Sequence, residues 1–498
     1  MQGNFSPRFG GKAGKRVHLN MADDQSIPFI AFWFSFALVV VLLIVLSVAL
    51  GLQNHGTVTG VQNEQNEDEM SINYEATSAT VPKLLPNSTI LLVGAGLTAG
   101  ACLLHLPAPV SVVVSVREGS GGLGGRAQTM PSALSVVSTT TAPQDLGAWC
   151  VQPLLHPLAA RMLAELRMST VPVELVVPAE TFVFDAATDS RLPYKQLPVV
   201  SDAEWMAPVR VVATADPLMW FAHTGLWPAD VGDASVDVVL QWDTPTFGQV
   251  PAAFGWQDVA ARALGTTPVL YNRAVAAVSW DRGKSLVSLT FTDGSREQAS
   301  MVGFTIPPHQ LAGLSGVAPL VADWCKSCFL QVASGVMFVT WNSTDVWWPA
   351  QGWFAGMIAT SLPLGRVTVV GPNTLRAAMS GQADVKFWND LFVGHGMTAA
   401  LVEVRAQLQR VFPTFLMPEP VTAVFKPWSS ATSLWKASLP VPRAEVVRTL
   451  RHPLGPSVPQ VQWACADIAL QWPSWVEGAV SEGQRLADAI VQVLDRRL

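Results

Sequence analysis

From residue 89 onward the chain alternates short apolar runs with amphipathic stretches, and the first run, Ile90-Leu91-Leu92-Val93, has the length of a buried parallel strand. It stops at Gly94-Ala95-Gly96-Leu97-Thr98-Ala99-Gly100, which reads as a tight turn and a helix start. A second apolar run, Val110 to Val116, ends just before Glu118. His156 to Arg167 has helical spacing, whereas Val171 to Val177 and Val209 to Ala213 read as strands. Val269 to Val278 leads into Ser285–Phe291, where apolar and polar residues alternate; Thr292-Asp293-Gly294 is a turn signal, and Met301 to Ile306 is a return strand stopped by Pro307-Pro308. Asn373 to Ala383 and Val385 to Arg410 predict helices closed by Pro413 and Pro418. Val461 to Asp467 is strand-like, and Gln471 to Gly483 opens a helix that continues to Leu494.

One segment breaks this alternation. Ile27 to Leu52 holds no ionisable residue and is long enough to span a bilayer as one helix. Arg8, Lys12, Lys15 and Arg16 precede it, and the polar stretch 53–87 follows, so the positive-inside tendency puts the polar tail 1–26 in the cytosol. The expectation is a single-pass membrane protein whose main domain is lumenal or extracellular, joined to its anchor by a solvated linker. Asn87-Ser88-Thr89 and Asn342-Ser343-Thr344 fit the glycosylation pattern that such a location would use.

The turn after the first strand carries the chemistry. Gly94 lets the chain reverse sharply, Gly96 lets backbone N–H groups approach a pyrophosphate at a helix N-terminus, and Ala99 keeps the helix close to its strand. Glu118, a little over twenty residues past the first glycine, stands where a ribose-binding carboxylate belongs. Gly124-Gly125-Arg126 follows six residues later, and Gln144-Asp145-Leu146-Gly147-Ala148-Trp149-Cys150 comes after it.

An acid at the end of the second strand, then Gly-Gly-Arg, then Asp-Leu-Gly-Ala resembles the flavin amine oxidase and renalase-like families. The resemblance implies that Glu118 binds the adenosine ribose of FAD. Gly124, Gly125 and Arg126 would run beneath the pyrophosphate, and the backbone of Gly147, Ala148 and Trp149 would lie against the flavin. Val275, followed by Thr305-Ile306-Pro307, is similar to the segment where a valine backbone meets the adenine. Asp467, with Trp475, Val476, Glu477 and Ala479, resembles the C-terminal flavin motif, although Ala466 replaces the glycine usual before the acid. There the acid would bind near the ribityl and pyrophosphate, and a helix N-terminus would meet the pyrimidine end of the ring.

The implied fold is α/β: a Rossmann-like FAD-binding domain (88–150, 257–320 and 441–498) interleaved with an α+β substrate-binding domain (151–256 and 321–440), preceded by one transmembrane helix (27–52). The implied function is a membrane-anchored FAD-dependent oxidoreductase that moves a hydride from an amine or dihydronicotinamide-type carbon to flavin N5, with oxygen as acceptor. A desaturase or protoporphyrinogen-oxidase-like enzyme on a lipophilic substrate stays open beside it, as does a flavin-binding protein without turnover.

Composition narrows this further. At 498 residues the chain has room for several domains; 50% of it is hydrophobic, only 14% is charged and mean hydropathy is +0.32, as a large core plus a membrane segment requires. A net charge of -6 leaves no basic footprint for nucleic acid, so the partners are a small-molecule substrate and the membrane. Five cysteines are too few for a disulfide scaffold. Cys325-Lys326-Ser327-Cys328 has no second pair or histidine at metal spacing; it reads as structural thiols, with a disulfide open in a lumenal domain. Trp341, Trp347, Trp348 and Trp353 could box a planar substrate but suit packing better. Trp428 is a candidate substrate-lining residue, with a core role equally open.

Overall fold

The computed structural model describes residues 89–495, with breaks at 108–112, 130–143, 175–181, 196, 198–199, 214–215, 242–246, 252–254 and 354–355. The predicted membrane span, its tail and its linker lie outside the described residues; within them no helix is long and apolar enough to cross a membrane.

The run at Ile90 is the central strand of a parallel sheet. β1 (Thr89–Val93) pairs with β2 (Val113–Arg117) on one side and β11 (Met301–Phe304) on the other. β7 (Val269–Leu270) extends the sheet beyond β2, and β17 (Val461–Trp463) extends it beyond β11. Parallel pairing demands crossovers and covers both faces, so successive residues of β1 enter different cores. Ile90 and Leu92 pack with Ala99, Cys102, Leu486 and Ile490; Leu91 and Val93 pack with Val302, Phe304 and Leu311.

Small residues set how close the covering helices come. Ala99 is fully buried toward the sheet, as the glycine-turn pattern predicts. Two glycines that the pattern does not single out are as tight. A Cβ on Gly100 would lie 2.6 Å from Ala263 Cβ of helix Gly255–Leu264, and one on Gly483 would lie 2.5 Å from the Thr98 carbonyl.

A second, antiparallel sheet holds β8 (Val275–Asp281), β9 (Leu286–Phe291) and β10 (Arg296–Ala299). The predicted return strand is therefore β10, which the short turn at Gly294 (φ +81°) brings back at once. Met301–Phe304 goes instead to the parallel sheet, where all four residues are buried. β3 (Thr170–Glu174) and β6 (Phe247–Pro251) form a separate ribbon.

The third sheet runs β16 (Thr422–Trp435), β12 (Phe329–Thr340), β15 (Thr374–Ser380), β14 (Arg366–Gly371), β13 (Met357–Thr360), β4 (Phe182–Asp185) and β5 (Ser190–Pro193). Its pairs are antiparallel except β13 with β4. One face, with Met337, Leu375, Ala377 and Met379, packs on Trp388, Val404 and Leu408 of helix Gln382–Val411, which breaks at Gly396 (φ +79°, ψ 177°). Trp341, Trp347, Trp348 and Trp353 join that core with mostly edge-to-face contacts, so they pack rather than box a ligand. The opposite face presents Val336 and Phe338 to Leu146.

Two predicted elements change type. Asn373 to Ala383, rich in helix formers, is mostly β15: Gly371-Pro372-Asn373 reverses the chain, and β12 and β14 satisfy its backbone on both edges. Val209–Val212 is one helical turn, not a strand, because Pro208 starts it and Val209 is buried in the parallel-sheet core.

All five cysteines are buried free thiols. Burial pushes Cys150 up to about 11 and Cys325 up to about 12. Since the thiolate is the reactive form, the folded protein is expected to react negligibly with an aromatic disulfide reagent at neutral pH and to show five thiols in denaturant. Rapid reaction of even one thiol without denaturant would contradict this packing.

Candidate active site

The turn after β1 is built from backbone contacts, and at Gly94 they leave no room for a side chain. Gly94 (φ +107°) donates its N–H to Arg117 O at 2.8 Å, and a Cβ there would lie 2.7 Å from Thr305 Oγ1. Thr305 Oγ1 in turn lies 3.0 Å from the carbonyls of Val93 and Gly94. Ala95 N–H donates to Glu118 Oε2 at 2.8 Å, while Glu118 Oε1 accepts from the Ser120 N–H and hydroxyl, each at 2.9 Å. The half-buried carboxylate is thus held beside the glycine turn with lone-pair capacity to spare. Val275 begins β8 close by: Arg273 N–H donates to Glu118 O, and Gly119 lies against Ala274.

The Gly-Gly-Arg loop crosses this turn. Gly124 donates to Ala95 O at 3.0 Å and forms a parallel bridge with Gly96. A Cβ on Gly96 would meet only Gly124 O, at 3.6 Å, and one on Gly125 would meet nothing within 4 Å. Helix Leu97–His105 starts there with no capping side chain and no acid in its first turn. The site therefore presents bare backbone and the positive end of a helix.

Arg126 links the Gly-Gly-Arg loop to the C-terminal motif. Its two terminal nitrogens each reach a different oxygen of Asp467 at 2.8 Å, and one also donates to Ala431 O at 3.2 Å. Asp467 is fully buried and also accepts from Ser433 N–H (3.2 Å) and Ser474 Oγ (2.5 Å). Burial alone would raise its pKa, but Arg126 and these donors hold it below the usual carboxylate range. The family resemblance sets Asp467 at the cofactor; in the structure its carboxylate accepts from Arg126, Ser433 and Ser474.

The Asp-Leu-Gly-Ala segment lies against this arginine. Ala148 N–H donates to Arg126 O at 2.9 Å, and a Cβ on Gly147 would lie 1.8 Å from that same oxygen. Trp428 Nε1 donates to Leu146 O at 2.7 Å, which places the predicted lining residue beside the segment. Trp149 is half-buried, and its carbonyl accepts from Trp256 Nε1.

Asp145, quoted in the motif but assigned no role, is fully buried and caps helix Gly255–Leu264 by accepting from Trp256 N–H at 3.0 Å and from Thr129 Oγ1 at 2.5 Å. Burial pushes its pKa from 3.8 up to about 7 against those bonds. The folded state then holds this proton more tightly than the unfolded chain does, so the stability contributed by Asp145 is fully present below about 4 and is lost as pH rises to about 7. Asp145→Asn is expected to remove this part of the decline, read from urea midpoints across the interval from 3.8 to about 7. Parallel slopes for the two proteins would refute the assignment.

The C-terminal motif divides. Trp472 (φ +53°) and Ser474 (φ +67°) are strained, and a Cβ on Gly478 would lie 2.4 Å from Trp472 O. Trp475 lies tilted against His156, with ring centroids 5.2 Å apart. Val476 and Ala479 are buried core residues. The Glu477 carboxylate caps helix Pro157–Glu165, accepting from Leu158 N–H (3.1 Å) and Ala159 N–H (2.8 Å). Its acidic side chain, which the sequence puts with the cofactor set, does a helix-capping task.

A parallel sheet whose first strand ends in a side-chain-free turn beside a carboxylate defines a dinucleotide-binding protein. The sequence matches the model of flavin-containing amine oxidoreductases over residues 219–491, more than half of its length, and the chain belongs to that family. It is accordingly an FAD-dependent oxidoreductase. Its glycine turn and Gly-Gly-Arg loop lie upstream of the matched stretch. No curated protein sequence matches the chain. Cyclohexylamine oxidase from Brevibacterium oxydans IH-35A superposes with a TM-score of 0.61 at 16% identity, covering 82% of this chain and 100% of that one. A triple mutant of putrescine oxidase gives 0.57 at 19% identity, covering 82% and 99%. At such identities the likeness is one of fold.

Proposed function

We propose that the protein oxidises an amine by removing hydride from the carbon next to nitrogen, with molecular oxygen as the final acceptor, and that 27–52 anchors it in a membrane with the enzyme on the lumenal or extracellular side. The reading rests on one observation above all: Gly94, Gly96 and Gly124 form a bare-backbone cradle between Glu118 and an uncapped helix. Those residues fit FAD. The Gly94–Ala99 backbone would hold the pyrophosphate, Glu118 the ribose hydroxyls, and Arg126 would meet the phosphate side while Asp467 keeps it oriented. Gly147, Ala148 and Trp149 would back the ring, with the Val275 backbone near the adenine and Trp428 on the substrate side. FAD, when bound, supplies the two-electron acceptor. The chain's contribution is then to orient the amine and exclude water, which needs no strong acid or base.

The purified full-length protein should show flavin absorption bands that acid precipitation releases to the supernatant, and anaerobic addition of an alkylamine should bleach them. A folded, colourless protein that takes up no added FAD would overturn the reading. A yellow protein that only dihydronicotinamides reduce would remove the amine from it.

A further inference from the structure

The sheet face that meets the Asp145–Cys150 segment carries a charge that has no ion-pair partner among the described residues. Arg376 on β15 lies over Trp149, its guanidinium carbon 4.2 Å from the ring centre, and is 6% exposed. Its Nε has no hydrogen-bond partner, and among the described residues no acid pairs with its guanidinium. Five other buried or half-buried arginines are neutralised: Arg117 by Glu297, Arg126 by Asp467, Arg443 by Asp237, and Arg451 and Arg485 by Glu482. Asp145, the acid that stabilises Arg376 electrostatically, gives one oxygen to Thr129 and Trp256 N–H and leaves the other buried without a hydrogen-bond partner, but among the described residues it forms no ion pair with Arg376. Arg366, on the neighbouring strand, adds positive charge and is itself laid over Gly225, its Nη1 directed at His223 O.

A buried cation with no anion is costly, and a guanidinium held flat on an aromatic ring presents its N–H fork in a fixed plane. That fork matches a carboxylate bidentately. A phosphate would bring a second negative charge, and Arg366 is already engaged elsewhere.

We propose that Arg376 is a specificity residue that receives the carboxylate of the substrate, so that the preferred amines carry a carboxyl group, as amino acids do. The proposal rests on the amine-oxidising reading and adds the substrate class. Trp149 joins the two halves of the argument, since it follows the Gly147-Ala148 backbone assigned to the ring and also supports the guanidinium.

The flavin-loaded, full-length enzyme is titrated with pentanoate and with pentanamide, each followed by perturbation of the flavin spectrum, and is then reduced anaerobically by pentylamine and by norleucine. The native enzyme is expected to bind pentanoate at least about tenfold more tightly than pentanamide. Arg376→Gln should lose about a hundredfold in pentanoate affinity while pentanamide binding stays level, and Arg376→Lys should keep part of the preference. A merely structural arginine would lower the melting temperature in both variants without changing the acid-to-amide ratio. Equal binding of acid and amide by the native enzyme, or an unchanged ratio in Arg376→Gln, overturns the proposal. Where Arg376→Gln does not take up FAD, the native ratio and Arg376→Lys decide. Flavin reduced by pentylamine but not by norleucine, with no pentanoate preference, sinks this inference and leaves amine oxidation standing. Flavin reduced by neither sinks the amine reading, and the acid-to-amide ratio still judges Arg376.

Discussion

Asp467→Asn is expected to lower the stability of the FAD-free protein by about 3 kcal/mol, near the low end for breaking a buried ion pair, and to abolish most FAD uptake. Asparagine keeps the shape and one acceptor, so Ser433 N–H and Ser474 Oγ can retain their bonds, but the bidentate partner of Arg126 is gone. The low end applies because Arg126 is 28% exposed, so water can solvate part of the charge left behind, while Asp467 is fully buried. Arg126 sits in the Gly-Gly-Arg loop and Asp467 just after β17, so their pairing adds a side-chain link between two segments that the parallel sheet already brings near each other. Replacing both residues with apolar ones of similar size should recover much of the stability without restoring FAD. That contrast separates the pair's structural cost from its part in the site. Thermal denaturation with and without FAD measures both, and a variant that keeps its melting temperature and its yellow colour would show the pair to be dispensable.

What the sequence made legible is what short-range pattern encodes. The run at Ile90, the glycines after it and Glu118 declare a strand, a turn and a carboxylate because each follows within one folding unit. Burial was also readable, although length was not: the apolar run Met301 to Ile306 is a strand only over Met301–Phe304, all four residues of which are buried. Its partner was not, because nothing in four apolar residues says whether they pair with the preceding hairpin or with β1. β15 was misread for a related reason. Leu375, Ala377, Ala378 and Met379 favour a helix locally, and only the two flanking strands, far apart in sequence, make the extended form pay. The same limit applies to charge. Asp467 and Glu477 sit in one motif, yet one neutralises an arginine more than three hundred residues away and the other caps a helix almost as distant. Arg376 gave no signal at all, since an arginine in a strand becomes notable only when burial without a partner is seen.

Two glycine substitutions should separate folding from cofactor binding, and the larger effect belongs to Gly147→Ala. Its Cβ would lie 1.8 Å from Arg126 O and 2.9 Å from Arg126 C, both backbone atoms that no side-chain rotation can move. The segment must shift away from Arg126, breaking the Ala148 N–H bond to Arg126 O and disturbing Trp428's bond to Leu146 O. The expected cost is about 3 kcal/mol, the upper part of the range for overpacking, together with loss of bound FAD. Gly96→Ala is the counterpart. There the added methyl meets only Gly124 O at 3.6 Å, an ordinary contact, so the FAD-free protein should melt within a few degrees of the native one. The methyl would, however, occupy the face where the pyrophosphate must approach the backbone, and FAD affinity should fall by about a hundredfold or more. Melting temperatures of the two FAD-free variants, followed by FAD titration, give the test. Gly96→Ala with native FAD affinity would move the cofactor away from this turn, whereas Gly147→Ala with native stability would mean that the segment beside Arg126 has slack that its backbone contacts deny.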